Sequence, residues 1–174
     1  FGFRPNSIAL SADKKFQTDP STLFSQLNSI NELKVIVLGN PASPTGKLYG
    51  EFLPNLQEYC EERNIILVLD EAFIDFSSVE FSGWNLLKRS ANLILIRSLT
   101  KFYSIPGLRI GYGILHPEKI KQIDKYQYPW SVNALAQAVG AEVVIDKTFQ
   151  EKSRSWITDE RNFMFQALNS VQSI

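Results

Sequence analysis

Residues 65–71 read Ile-Ile-Leu-Val-Leu-Asp-Glu, so five apolar residues run directly into two acidic ones. Residues 34–38 (Lys-Val-Ile-Val-Leu) and residues 93–96 (Leu-Ile-Leu-Ile) repeat this plan, and each is followed by polar residues. Short, continuously apolar runs rich in β-branched residues are typical of strands buried on both faces of a parallel sheet. We therefore predict three neighbouring strands of that kind.

Helical patterns lie between and after these runs. Their apolar residues recur at helical spacing, which predicts helices at residues 51–63, 84–88, 117–125, 132–145 and 148–168. Residues 108–115 are predicted to form a fourth strand. In the last helix we expect four buried side chains, those of Phe149, Trp156, Phe163 and Leu168. This order predicts an α/β domain with a mostly parallel sheet flanked by helices and right-handed crossovers.

Composition excludes several classes of function. The 174 residues suffice for one domain, and 18 basic residues balance 18 acidic ones. A chain without net charge argues against a nucleic-acid partner or an anionic membrane surface. No apolar run approaches the roughly 18 residues of a membrane helix. One cysteine, Cys60, and one histidine, His116, build neither an internal disulfide nor a zinc site, and we expect Cys60 in the core.

Asp70 directly follows an apolar strand, where ligands bind in open α/β sheets. Glu71 follows it, but neighbouring strand residues point to opposite faces, so the two are not expected to form an acid/base pair. Asp70 would instead face a cation, such as a protonated pyridine nitrogen. The alternative is a carboxylate that only caps a turn.

Lys101 and Arg109 follow the third strand. Lys101 lies three residues after Ser98 in a stretch with few other charges, where desolvation would favour a neutral, nucleophilic amine. Arg109 lies between Gly107 and Gly111, and a guanidinium beside a serine hydroxyl can bind phosphate oxygens. The alternatives are a solvated surface lysine and an arginine in an interdomain salt bridge.

Four motifs occur in order along the chain: Pro-Thr-Gly at 44–46, Asp-Glu-Ala-Phe at 70–73, Ser-Leu-Thr-Lys at 98–101 and Gly-Leu-Arg-Ile-Gly-Tyr at 107–112. Together they resemble the fold-type I aminotransferases, which use pyridoxal 5′-phosphate (PLP), over essentially the whole chain. Two branches come closest, histidinol-phosphate aminotransferase and L-threonine-O-3-phosphate decarboxylase. Residues 70–76, 97–109 and 129–136 favour the decarboxylase branch.

The resemblance implies a role for each motif residue. Lys101 would bind PLP covalently, and Asp70 would pair with the pyridinium nitrogen and keep it protonated. Ser98 and Arg109 would hold the phosphate, with Thr100 as a helper. No metal is implied.

Two positions depart from the family pattern. Phe73 stands where aminotransferases usually have a tyrosine that contacts the phenolic oxygen of PLP. Without the tyrosine hydroxyl, the electron density of the PLP ring would be tuned differently. Ser43 stands where the family usually has asparagine before Pro-Thr-Gly. The shorter side chain puts the usual contact to the cofactor and to the substrate carboxylate in question.

The resemblance implies decarboxylation of L-threonine-O-3-phosphate to aminopropanol phosphate, a step of cobalamin biosynthesis. The alternatives are a histidinol-phosphate or other class I/II aminotransferase and, in another class, a non-catalytic regulator with the same fold. The implied substrate is a small phosphorylated amino acid or amino alcohol, and the implied assembly is a cytoplasmic homodimer. We expect residues 1–174 to be part of the PLP-binding large domain, without the amino-terminal arm and the carboxy-terminal small domain, and this piece alone to be inactive.

Overall fold

The computed structural model describes residues 2, 4–16 and 19–171. Its sheet has the strand order β1 (Val35–Gly39), β2 (Ile66–Asp70), β3 (Leu93–Ser98) and β4 (Gly111–Leu115). The first three strands pair in parallel, whereas β4 pairs antiparallel with β3. The predicted mostly parallel sheet is confirmed, with the predicted fourth strand three residues shorter at its start.

Helices flank this sheet at the predicted places. The described α-helices are α1 (Pro20–Asn28), α2 (Leu53–Glu62), α3 (Pro117–Asp124), α4 (Ala134–Val143) and α5 (Lys147–Asn169). Shorter 3₁₀ segments cover Ala12–Lys14, Ile74–Phe76, Val79–Phe81, Gly83–Arg89 and Pro106–Leu108. The segment predicted as a helix at residues 84–88 is therefore one of the 3₁₀ segments.

Helix α1 was not predicted, although its start carries a clear signal. Asp19 caps the helix by accepting a hydrogen bond from the backbone N–H of Thr22 at 2.8 Å, and Pro20 occupies the first helical position. Hydrogen bonds from the hydroxyls of Ser21 and Thr22 and from that N–H hold the pKa of the Asp19 carboxyl well below its usual range. Both the cap and the helical spacing of Leu23, Phe24 and Leu27, which pack in the core, mark this helix.

The core lies between one face of the sheet and α2. Its buried side chains include Leu27, Leu53, Leu56, Cys60, Leu67, Leu69, Leu93 and Leu95. On the opposite face, Val37 is 70% exposed and Ile96 is 44% exposed. The expectation that the strands are buried on both faces is therefore wrong here, because side chains alternate between the faces and the described residues cover only one of them.

The expected burial of the apolar residues in α5 is also wrong. Trp156 and Phe163 are both 63% exposed, and Phe149 and Leu168 are exposed as well. Among the described residues, α5 is anchored through its first three turns, where Gln150 is buried and donates hydrogen bonds to the Tyr103 hydroxyl (3.3 Å) and the Val144 carbonyl (3.0 Å), and where Arg154 Nε donates to the Asp75 carbonyl (3.2 Å).

Cys60 should be unreactive in the folded protein. The side chain is buried in the core, and this burial, with a smaller effect of the Glu61 carboxylate, raises the pKa of the thiol to about 12. At about pH 8, 5,5′-dithiobis(2-nitrobenzoate) should label the thiol in denaturant but not under native conditions, since the thiolate is the reactive form. Rapid native labelling would show that the core around α2 opens.

Candidate functional site

The site is built where three strands end side by side. The backbone N–H of Asn40, just after β1, donates to the carbonyl of Asp70 at 2.9 Å, and the N–H of Glu71 donates to the carbonyl of Ile96 at 2.8 Å. Asp70 is the last residue of β2 and pairs with Ile96, and Ser98 ends β3 two residues later. Residues two apart share a face, so Asp70 and Ser98 lie on one face at the carboxyl edge.

Lys101 lies in the turn that follows β3. Its Nζ donates a hydrogen bond to Ser98 Oγ at 3.2 Å and lies 5.7 Å from the centroid of the Phe73 ring. The structure thus brings together the end of β3 and the loop after β2. The side chain is exposed, so the desolvation expected from the sequence is not provided by the described residues.

Hydroxyl and guanidinium donors cluster around the same edge. Ser98 Oγ and Thr100 Oγ1 are 2.7 Å apart, and the Thr100 N–H donates to Ser98 Oγ at 3.3 Å. The backbone of Arg109 lies beside this edge because Ser98 pairs with Gly111 and the Leu99 N–H donates to the Ile110 carbonyl at 3.2 Å. The Arg109 guanidinium donates to the Pro106 carbonyl at 3.1 Å, and within the described residues it forms no ion pair.

Gly111 permits the close pairing of β4 with the end of β3, beside Ser98. A Cβ at this position would lie 2.5 Å from the carbonyl oxygen of Arg97, which is backbone and cannot rotate away. We expect Gly111→Ala to lower the free energy of unfolding by about 1–3 kcal/mol, as overpacking does. Gly107→Ala is the matched control, because a Cβ there meets nothing within 4 Å. Equal urea midpoints for the two variants would contradict this account.

The Asp70 carboxylate is exposed and only partly used. Its Oδ1 accepts a hydrogen bond from the Ala72 N–H at 3.0 Å, so Asp70 does cap the following turn. Among the described residues this is the one hydrogen bond of its side chain, which leaves Oδ2 able to accept another. Glu71 is buried and points away from this edge, so the two acids do not form a pair, as expected.

Ser43 is placed in the exposed turn after β1, and no described hydrogen bond ties it to the other candidate residues. In contrast, Asn40, three residues before Ser43, is buried and its side chain is hydrogen-bonded. The buried Asn40 amide donates to the Phe81 carbonyl at 2.7 Å and accepts from the Tyr49 N–H at 3.0 Å. Sequence reasoning singled out Ser43 from the motif and missed this bridge.

A buried ion pair behind the site was also missed. Arg97 and Glu71 meet at 2.9 Å, with the Arg97 side chain 14% exposed and that of Glu71 fully buried. The available signal was an arginine in an otherwise apolar strand, one residue before Ser98, opposite the glutamate that follows Asp70.

The donor set fits a cofactor with an aldehyde, a phosphate and a basic ring nitrogen. Lys101 offers an accessible amine, Ser98, Thr100 and Arg109 offer phosphate donors, and Asp70 offers a free carboxylate oxygen. The described residues contain no cluster of three or more metal-ligating side chains. No helix in the described part of the chain is long and apolar enough to cross a membrane.

The family model for Aminotransferase class I and II matches residues 2–174. Threonine-phosphate decarboxylase from Salmonella typhimurium is 39% identical over 79% of the chain and 38% of that protein. Histidinol-phosphate aminotransferase from Methanosphaera stadtmanae is 31% identical over 97% and 45%. Adenosylcobalamin biosynthesis bifunctional protein CobDQ from Leptospira interrogans is 35% identical over 84% and 17%. The chain thus spans less than half the length of each.

Solved structures share the fold. The histidinol-phosphate aminotransferase from Clostridium acetobutylicum superposes with a TM-score of 0.78 at 30% identity, over 85% of this chain and 45% of that one. L-threonine-O-3-phosphate decarboxylase from Porphyromonas gingivalis gives 0.68 at 28% identity, over 82% and 43%. The PLP-bound C–S lyase from Staphylococcus hominis, at 18% identity, gives 0.72 over 86% and 39%. Both branches named by the sequence resemblance are therefore among the relatives.

Proposed function

This chain belongs to the aminotransferase class I and II family, and on that premise we propose that it forms the cofactor-binding part of a PLP-dependent enzyme. The observation that carries the proposal is the contact of Lys101 Nζ with Ser98 Oγ at 3.2 Å, at the same sheet edge as the Asp70 carboxylate. In open α/β sheets, ligands bind at the carboxyl ends of the strands, which is where this amine, these hydroxyls and this acid lie.

Each residue has a task that its geometry supports. Bound PLP supplies an aldehyde that reacts with amines and a ring that accepts the electron pair of a bond broken at the substrate α-carbon. Asp70 would accept the N–H of the ring and keep that nitrogen protonated. Ser98, Thr100 and Arg109 would donate hydrogen bonds to the phosphate. Lys101 would hold the cofactor through Nζ, and the same nitrogen would carry a proton when it is not bonded to the cofactor.

The substrate we propose is L-threonine-O-3-phosphate. Its carboxyl group leaves as carbon dioxide, the electron pair stays with the α-carbon, and a proton then takes the vacated position to give aminopropanol phosphate. Two findings support this choice: the 39% identity to a threonine-phosphate decarboxylase and the similarity to an adenosylcobalamin biosynthesis protein. Phe73 beside Lys101, in place of the tyrosine usual in aminotransferases, supports it further.

A second candidate is transamination of histidinol phosphate. The similarity to histidinol-phosphate aminotransferases covers 97% of the chain at 31% identity, and the fold agrees at a TM-score of 0.78. In this reaction the bond broken at the α-carbon is the bond to hydrogen, which leaves as a proton, and no carboxyl group is lost. Both reactions use the same Lys101 and Asp70, so the contacts described above do not distinguish them.

Two incubations distinguish the candidates. The complete gene product, loaded with PLP, is given threonine phosphate in one and histidinol phosphate with 2-oxoglutarate in the other. The proposal expects carbon dioxide and aminopropanol phosphate in the first and no glutamate in the second. Glutamate formation without carbon dioxide would assign the chain to the aminotransferases instead.

We propose further that the chain corresponds to part of the PLP-binding large domain of a homodimeric, cytoplasmic enzyme. Exposed aromatic residues support an assembly, since Trp130 is 95% exposed and Trp156 and Phe163 are each 63% exposed. Sedimentation of the complete gene product at micromolar concentration should give the mass of two chains. A single-chain mass across that range would refute the dimer.

A further inference from the structure

The ion pair behind the site is held by more than its charges. Arg97 Nε donates to Glu71 Oε2 at 3.0 Å, and Nη2 lies 2.9 Å from the same oxygen while it donates to Ser82 Oγ at 2.8 Å. Ser82 Oγ donates to Glu71 Oε2 at 2.9 Å, while Glu71 Oε1 accepts the Gly83 N–H at 2.7 Å. The Glu71 carboxylate is thus in contact with four donor atoms, two of which belong to the nearly buried Arg97 guanidinium.

This pair lies directly behind the candidate site. Glu71 follows Asp70 and Arg97 precedes Ser98, and neighbouring residues along an extended strand point to opposite faces. Asp70 and Ser98 therefore face the site, and Glu71 and Arg97 meet on the other face at the same level of the sheet. The pair connects the end of β2 to the end of β3 through the rigid, planar guanidinium of Arg97, whose Nε and Nη2 both contact Glu71 Oε2.

We propose that Glu71 and Arg97 are positioning residues, which fix the separation between Asp70 and the Ser98–Lys101 segment and so set the cofactor geometry. The inference rests on the proposed function of Lys101 and Asp70. Neither residue of the pair faces the site, so both act through their neighbours. Burial of an ion pair costs desolvation that apolar side chains of similar size would avoid, so stability alone gives it little reason to exist.

The central test removes the charges of Glu71 and Arg97 and keeps the hydrogen bonds that residue 71 makes with Gly83 and Ser82. The hydrogen bonds donated by Arg97 and its 3.9 Å contact with Asp75 Oδ1 are lost. In Glu71→Gln/Arg97→Met, the glutamine carbonyl can still accept the Gly83 N–H, its amide can donate to Ser82 Oγ, and methionine fills the space of the arginine stem. The matched control is Glu61→Gln, since Glu61 accepts hydrogen bonds from Ser90 Oγ and the Asn92 N–H at the other end of β3. Both are made in the complete gene product.

The double variant should unfold at a Tm close to that of the wild type yet bind PLP more weakly in an absorbance titration. Its kcat should fall by about 10- to 100-fold, the scale expected when reacting groups are displaced by a fraction of an ångström to an ångström, while KM changes little. Glu61→Gln should leave the PLP affinity and kcat unchanged. A role in stability alone would move Tm and leave PLP affinity and kcat in place.

Arg97→Lys keeps the positive charge but lacks the planar guanidinium. This variant serves as the test if the double variant does not fold. It should retain a PLP affinity and kcat between those of the double variant and the wild type. Wild-type PLP affinity and kcat in folded Glu71→Gln/Arg97→Met, or in Arg97→Lys if only that variant folds, would overturn the inference. A wild-type protein that holds no borohydride-reducible PLP would instead refute the proposed function.

Discussion

Lys101→Ala should abolish turnover, with a loss on the order of 10³-fold or more, as found when a residue that bonds covalently to the reacting group is removed. Lys101 Nζ is the described lysine nitrogen that contacts Ser98 Oγ and lies beside the Phe73 ring. The assay is carbon dioxide release from threonine phosphate, with glutamate formation from histidinol phosphate run in parallel. Since Lys101 is exposed, the substitution should leave the free energy of unfolding nearly unchanged.

Two variants make this test specific. Lys121→Ala removes an exposed lysine from α3 and should keep full activity. Lys101→Arg retains a positive charge but not an amine that can bond to an aldehyde, so it should be as inactive as the alanine variant. Activity in Lys101→Arg would mean that Lys101 contributes only its charge.

Glu71→Ala should cost about 3–5 kcal/mol of unfolding free energy, because removal of one partner leaves the other charge nearly buried without its main counter-ion. Here the group left behind is the Arg97 guanidinium, whose remaining ion-pair contact among the described residues is Asp75 Oδ1 at 3.9 Å, and the Gly83 N–H loses its acceptor as well. Urea denaturation measures the change. The control is Glu62→Ala, whose partner Arg63 is exposed, with an expected cost of at most about 1 kcal/mol. Similar losses for the two variants would show that the buried pair is no stronger than a surface pair.

The sequence predicted the strands well because their apolar runs are short and are bounded by polar residues. The strand at residues 65–69 was found at Ile66–Asp70, one residue later. Burial was predicted less well. The same run of β-branched residues occurs whether one face or both faces are covered, so the exposure of Val37 and Ile96 could not be read from it. Likewise, the apolar stripe of α5 predicts a helix that packs against another surface. The stripe does not tell whether the described residues provide that surface.

The site was predicted by motif and by strand-end position, and the structure brings Ser98, Thr100, Lys101 and Phe73 into contact or close approach. The exposure of Lys101 was not foreseen, because sparse charge in sequence does not imply burial in space. The Glu71–Arg97 pair was missed since strand register decides which charges meet, and register is set by pairings between distant segments.

The central claim is that Lys101 holds the cofactor, and peptide mapping after reduction tests it most directly. The complete gene product is loaded with PLP, reduced with borohydride, digested and analysed by mass spectrometry. The account predicts a reduced pyridoxyl adduct on the peptide that contains Lys101, in a ratio of about one per chain, as expected for a single covalent site. An adduct on a different lysine at that ratio, with Lys101 unmodified, would contradict it.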